Sequence, residues 1–196
     1  MLRKLYCDRK KSMAEVADRL CTTPNKVGYW LQKYSIPRRS WSESSYVKQN
    51  PRGDPFKIKK NLNQKDKELL VAGLMLFLGE GNRTDKHTIQ LGNLNPDVLQ
   101  IFTKFLRNLC EIKESKFKIL VRLHKKFNKN KAAIYWSKIL TVPRQQVLVY
   151  THNDPRSKDN QQRSEYGIAT LMFCNMKLKK WLADKIKEYT QRLIKP

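Results

Sequence analysis

The stretch Leu69-Leu70-Val71-Ala72-Gly73-Leu74-Met75-Leu76-Phe77-Leu78-Gly79-Glu80-Gly81 is continuously apolar until it closes on one acid between two glycines, in a chain that is otherwise strongly polar. Asn63 stands where it can cap a helix start, and Asp66 falls in the first turn, where the positive end of the helix dipole favours a carboxylate. The spacing predicts a helix from there to about Gly79, with Gly73, Phe77 and Glu80 on one face at i, i+4 and i+7. Small residues along it let a second backbone approach closely. The apolar run is far shorter than the roughly 20 residues a bilayer span needs, so the expectation is a core or subunit-interface helix.

The rest of the chain surrounds this spine with positive charge. Of 196 residues, 41 are lysine or arginine and 17 are acidic, a formal charge of +24, with basic residues in every segment. That is the electrostatic footprint of a nucleic-acid binder, and no amphipathic basic anchor or lipidation signal argues for a membrane surface. Cys7, Cys21, Cys110 and Cys174 are widely spaced, and His87, His124 and His152 do not cluster with them. No zinc-type ligand set is visible, and the cysteines read as reduced thiols. Met1-Leu2-Arg3-Lys4-Leu5 lacks the apolar core of a signal peptide, so the expected location is cytoplasmic, at the nucleoid. No glycine-rich phosphate loop is present.

Residues 1–40 read as a three-helix helix-turn-helix domain. Leu2, Leu5 and Tyr6 stripe the first helix, and Ser12 caps a second that carries Val16, Ala17 and Leu20 inward. A tight turn at Cys21-Thr22 follows. Thr23 then caps a third helix with Pro24 at its first position, where a missing N–H costs nothing. Val27, Leu31 and Tyr34 recur at helical spacing and are expected to bury. In such a unit the last helix enters the major groove, and its N-terminal residues reach base edges. The stretch Met13 to Leu31 resembles the homeodomain-like helix-turn-helix of resolvases and many bacterial regulators. The resemblance implies that Thr23, Asn25, Lys26 and Tyr29 face DNA, asparagine suiting adenine and lysine suiting guanine or phosphate. After Pro37 the pair Arg38-Arg39 is held extended, either to lie in a minor groove or as a solvated charge pair. Residues 41–62, rich in Ser, Asn, Lys, Pro and Gly and without periodicity, read as a basic linker.

Residues 63–196 alternate in type. Thr88 to Leu91 is a short strand, and Asn95 caps a helix bearing Val98, Ile101, Phe102, Phe105, Leu106 and Leu109. Between Lys116 and Lys126, Phe117, Ile119, Val121 and Leu123 share one face, while Lys118, Arg122, His124 and Lys126 share much of the other. The expectation is an apolar sheet face on helices and a cationic face outward, suited to a duplex backbone. A helix over Lys131 to Leu140, a strand over Val147 to Tyr150, a long basic loop over 152–165, a central strand over Tyr166 to Phe173 and a closing helix over Leu178 to Ile194 complete the order. The fold class is α+β, an antiparallel or mixed sheet covered by helices on one face.

Leu70-Val71-Ala72-Gly73-Leu74 with Gly79-Glu80-Gly81, then Asn93-Leu94-Asn95-Pro96-Asp97 opening a helix, and Tyr135-Trp136-Ser137-Lys138 before Val142-Pro143-Arg144, resemble the LAGLIDADG homing endonuclease superfamily. Within it the chain is similar to small proteins that join a helix-turn-helix to one such domain. Seven residues separate Gly73 from Glu80, longer than the usual motif, so the motif aligns either on Gly73 or on Gly79-Glu80-Gly81.

The resemblance implies a homodimer on a roughly palindromic double-stranded DNA site, its motif helices packed at the twofold axis through Ala72, Gly73, Leu76, Phe77 and Gly79. It implies Glu80 as the catalytic, metal-holding acid for Mg²⁺ or another divalent cation. Arg83, Gln90, Lys118, Arg122, His124 and Lys126 would be the DNA-facing set of this domain, beside Thr23, Asn25, Lys26, Tyr29, Arg38 and Arg39. Electrostatics agree with the metal: two acids at helix C-termini oppose the dipole and repel each other, and a divalent cation removes both penalties. Lys86, Gln90, Lys118 and Lys126 are candidates for a second catalytic group. The implied activity is site-specific DNA cleavage. The alternatives are a non-catalytic transcription regulator on the same fold and an RNA-binding maturase.

Overall fold

A computed structural model describes residues 1–152 and 164–195. The chain divides into two compact units, Met1–Pro55 and Phe56–Pro196.

The first unit folds around a small core of Leu5, Tyr6, Val16, Ala17, Val27, Leu31 and Ile36. Helix α1 (Met13–Arg19) begins at Ser12, whose hydroxyl accepts from the Glu15 N–H while the Glu15 carboxylate accepts from the Ser12 N–H. The chain reverses at Cys21, in the left-handed region with φ 48°, and Thr23 caps helix α2 (Pro24–Lys33). Tyr34, expected to bury, is 63% exposed. The helix stops before it, Ser35 turns left-handed with φ 51°, and the Ile36 N–H returns to the Leu31 carbonyl, so Ile36 fills the core instead.

A second correction concerns 41–62, expected to be an aperiodic linker. Helix α3 (Trp41–Gln49) occupies its start, opened by a reciprocal cap between Ser40 and Glu43, and none of its residues is buried. At the other end, residues 56–62 belong to the second unit. The Lys57 and Lys59 N–H groups donate to the carbonyls of Cys110 and Leu109, and Phe56, Ile58 and Leu62 pack on the core.

That core lies between a sheet and its covering helices. Asn63 caps helix α4 (Gln64–Glu80), with Asp66 reciprocating and also accepting from Lys59 at 2.8 Å. There follow β1 (Thr88–Asn93), α5 (Pro96–Asn108), β2 (Phe117–His124), α6 (Lys129–Leu140), β3 (Val147–His152), β4 (Ile168–Cys174) and α7 (Met176–Ile194). Among the described residues the strands form one sheet in the order β1-β4-β2-β3, parallel between β2 and β3 and antiparallel elsewhere. The fold is therefore α+β with a mixed sheet. Period-two alternation sends Ile89, Leu91, Phe117, Ile119, Val121, Leu123, Ala169, Leu171 and Phe173 inward. They meet Phe77, Phe102, Phe105, Trp136 and Leu182 from the helices. The strand over 168–174 is central, as its apolar composition predicts. Ile101, expected in the core, is 41% exposed, and on α6 Ile134 is 48% exposed while Ala133 is buried. The basic loop expected over 152–165 falls, from 153 to 163, outside the described residues. Among the described residues no helix is long and apolar enough to cross a membrane.

Candidate functional site

The residues singled out from the sequence fall into two groups, one in each unit. On α2, Val27 and Leu31 anchor the helix, which leaves Thr23, Asn25, Lys26 and Tyr29 exposed together. The Thr23 hydroxyl accepts from the Lys26 N–H at 3.3 Å, so this residue orders the helix start. Gln32 and Lys33 are exposed as well and continue this surface by one turn. Sequence reading missed them, although Gln32 stands at i+7 from Asn25. On α1, the Lys11 ammonium and the Ser12 N–H hold the Glu15 carboxyl down to about 2.

The arginine pair splits. Arg38 is exposed. Arg39, expected on DNA, is spent inside the unit. Its guanidinium donates to the carbonyls of Lys10 (3.0 Å) and Lys11 and lies 4.2 Å over the Tyr6 ring, whose hydroxyl accepts the Arg39 N–H at 3.0 Å. A planar five-donor head that satisfies two carbonyls and stacks on a ring is a staple across the unit.

In the second unit Glu80 is the last residue of α4 and is exposed. The three glycines near it do different work. A side chain at Gly73 would collide with the Phe105 ring, and one at Gly81 with the ring and carbonyl of Phe77, whereas nothing lies within 4 Å of a Cβ at Gly79. Gly73 and Phe77 are buried in their own domain. This corrects the expected dimer surface: these two are consumed by α5, and only Ala72, Leu76 and Gly79 of that set remain toward solvent. Val71, 39% exposed, and half-buried Met75 join them on the outer edge of α4.

The loop after Glu80 is held from three sides. Gly81 bridges to Leu91 and the Asn82 N–H donates to the Gln90 carbonyl. The Asn82 side-chain oxygen accepts from the N–H groups of Thr84 and Asp85 and from the Thr84 hydroxyl. Asp85 in turn accepts from the His87 and Thr88 N–H groups, which lower its pKa. From α7, the Lys179 ammonium donates to the Asn82 carbonyl and sits 4.6 Å over the Phe77 ring. Lys179 is 6% exposed, and burial pushes its pKa down. It escaped sequence reading, yet it falls on the inward spacing of Leu182 and Ile186.

The outward sheet face differs from the cationic surface expected. Lys118 and Arg122 are exposed and His124 half-buried on β2. The register puts Met172, Thr170 and Ile168 of β4 on one side of that strand, and Leu148 and Tyr150 of β3, 51% and 49% exposed, on the other. The register sets Lys118 and Arg122 beside uncharged neighbours at Met172, Thr170, Ile168, Leu148 and Tyr150, while His124 pairs with His152 of β3. Gln90 and Lys118 flank Met172 on a single row. Gln90 also accepts from the Asn82 side chain at 3.4 Å, which ties that row to the Glu80 loop. Arg83 and Lys86 are exposed on the same loop. Lys126 lies beyond the opposite end of β2, near Phe127, and does not join this group.

Among the described residues no cluster of three or more His, Cys, Asp or Glu could hold a metal ion. Glu80 offers one exposed carboxylate beside a hydrogen-bonded loop. One carboxylate is by itself no metal site; a Mg²⁺ there would need waters and substrate phosphates to complete its shell. No family model, curated protein or solved structure matches the chain.

Proposed function

We propose that the chain is a sequence-specific double-stranded-DNA-binding protein of the homing-endonuclease type, acting at the nucleoid as a homodimer with Mg²⁺ or a similar cation at Glu80. The observation that carries this reading is the exposed set Asn25, Lys26 and Tyr29 on a capped helix behind a tight turn, in a chain of charge +24. A helix-turn-helix presents the start of its second helix to base edges, and Asn and Lys there discriminate adenine and guanine.

The second unit supports the rest. Glu80 would hold the cation, which when bound supplies Lewis-acid stabilisation of the leaving oxygen and an activated water. Gly81 and the Asn82 loop fix the backbone beneath Glu80, and Lys118 and Arg122 place positive charge on the sheet for phosphates. Pairing of two copies along Val71, Ala72, Met75 and Gly79 would bring the second carboxylate. Gly79 supports that arrangement: glycine inside a helix costs about 0.5–1 kcal/mol relative to alanine, and among the described residues nothing lies within 4 Å of a Cβ there. The second reading, a regulator that binds without cutting, is favoured by the loss of Gly73 and Phe77 to the protomer's own core.

The test is selection from a random duplex library, followed by incubation of the enriched duplex with Mg²⁺. The endonuclease reading expects one enriched site, defined cuts, and Glu80→Gln protein that binds but does not cut. Cuts that persist in Glu80→Gln remove Glu80 from the chemistry; binding without cuts under any divalent cation leaves the regulator.

A further inference from the structure

Within the first unit a cleft of about 930 Å³ runs between the N-terminal ends of α1 and α2 and the flank of α3. Its lining includes Lys10, Lys11, Arg38 and Lys48, the first turn of α2 at Pro24, and Trp41. Trp41 is 90% exposed, and α3 buries none of its own residues. The one acid on the wall, Glu15, is already paired with Lys11 at 2.6 Å. On the far wall Arg39 ties the Lys10 and Lys11 carbonyls to the Tyr6 ring, and Lys10 is in the left-handed region with φ 52°.

We infer that this cleft seats the sugar-phosphate strand bordering the major groove that α2 reads, with Arg38 and Lys48 on phosphates and Trp41 against the sugar edge. The inference rests on the DNA-binding reading above and deepens it. Three observations point to this occupant. The lining is cationic with its one acid neutralised, so the complement is a polyanion. Pro24 belongs both to the cleft wall and to the helix start that carries Asn25 and Lys26, so a strand in the cleft is continuous with the bases those side chains face. Trp41, exposed on the same cleft as Arg38 and Lys48, gives a flat apolar surface of the kind that bases stack on. Helix α3 then has a purpose as the second wall, which its lack of buried residues within the protomer does not otherwise explain.

The experiment measures binding of the full chain to a random-sequence 30-base-pair duplex and to the matching single strand across a salt series. Arg38→Ala/Lys48→Ala and Trp41→Ala are compared with wild type. These sites are exposed, and circular dichroism verifies that the variants fold. Two lost phosphate contacts, at about 0.9 each, make the slope of log K against log salt shallower by about 1.8 in the double variant. Trp41→Ala weakens duplex binding with the slope unchanged. An unchanged slope and affinity in the double variant overturn the inference, and so does a loss seen with the single strand but not the duplex. Failure of the α2 reading is scored separately: Asn25→Ala would then bind the selected and random duplexes in the same ratio as wild type, whatever the salt slope does.

Discussion

The Phe105 ring fills the space that a Cβ on Gly73 would occupy, so the glycine that most resembles a helix-pairing residue is a contact inside one protomer. Gly79, six residues further along α4, faces open space. Gly73→Ala is therefore expected to overpack the core and lower stability by about 1–3 kcal/mol, without a change in self-association that folding does not explain. Gly79→Ala is expected to leave the protomer as stable or about 0.5–1 kcal/mol more stable while weakening the dimer. Denaturant melts paired with sedimentation velocity separate the two. A Gly79→Ala protein that dimerises like wild type contradicts the assigned face.

Arg39 supplies a second contrast. Removing its side chain strands the Lys10 and Lys11 carbonyls and uncovers the Tyr6 ring, so Arg39→Ala is expected to destabilise the first unit by about 1–3 kcal/mol. Tyr6→Phe should cost about 1 kcal/mol through the lost N–H acceptor. Urea unfolding followed by circular dichroism checks both. If Arg39→Ala melts as wild type does, the guanidinium is no staple.

Stability should change with pH at both ends of the range. The Lys59 ammonium at 2.8 Å and the Asn63 N–H hold the Asp66 carboxyl below its ordinary 3.8. The native state then releases that proton more readily than the unfolded chain does. The stabilisation is present above the unfolded value and is lost as pH falls through the lower folded one, and Asp66→Asn removes this acid-side loss. Lys179 gives a slope of the same sign at the alkaline end: burial lowers its pKa from 10.5, so between the folded value and 10.5 the unfolded chain binds more protons and stability rises with pH. Lys179→Met, which keeps an apolar stem on Phe77, should lack that alkaline rise. Urea midpoints across a pH series report both, and a wild-type minus variant difference that is flat with pH contradicts the assignments.

Much of this architecture is legible in local signals. Alternation over Phe117 to Leu123 identifies a half-buried strand, the apolar run after Asn63 identifies a buried helix, and Thr23, Asn63 and Asn95 mark helix starts through their caps. What was not legible depends on partners distant in sequence. Helix α3 buries nothing, so it has no periodicity, and its one local signal is Ser40 followed by Glu43 three residues on. Gly73 and Gly79 look alike until Phe105 arrives from another helix. Arg39 reads as a free cation because Lys10, Lys11 and Tyr6 lie about thirty residues away. The alternation of β2 shows Lys118 and Arg122 on the outward side, and only the register of β3 and β4 reveals Tyr150, Leu148 and Met172 beside them.

The central claim is that the exposed start of α2 reads duplex sequence. Its most direct measure is the affinity ratio between a selected duplex and a scrambled one at fixed salt, for wild type and for Asn25→Ala. The account predicts a wild-type ratio of at least about 10³ that falls in Asn25→Ala by the equivalent of about 1–3 kcal/mol, with scrambled-duplex affinity unchanged. A wild-type ratio near one, or a ratio that Asn25→Ala leaves intact, contradicts it.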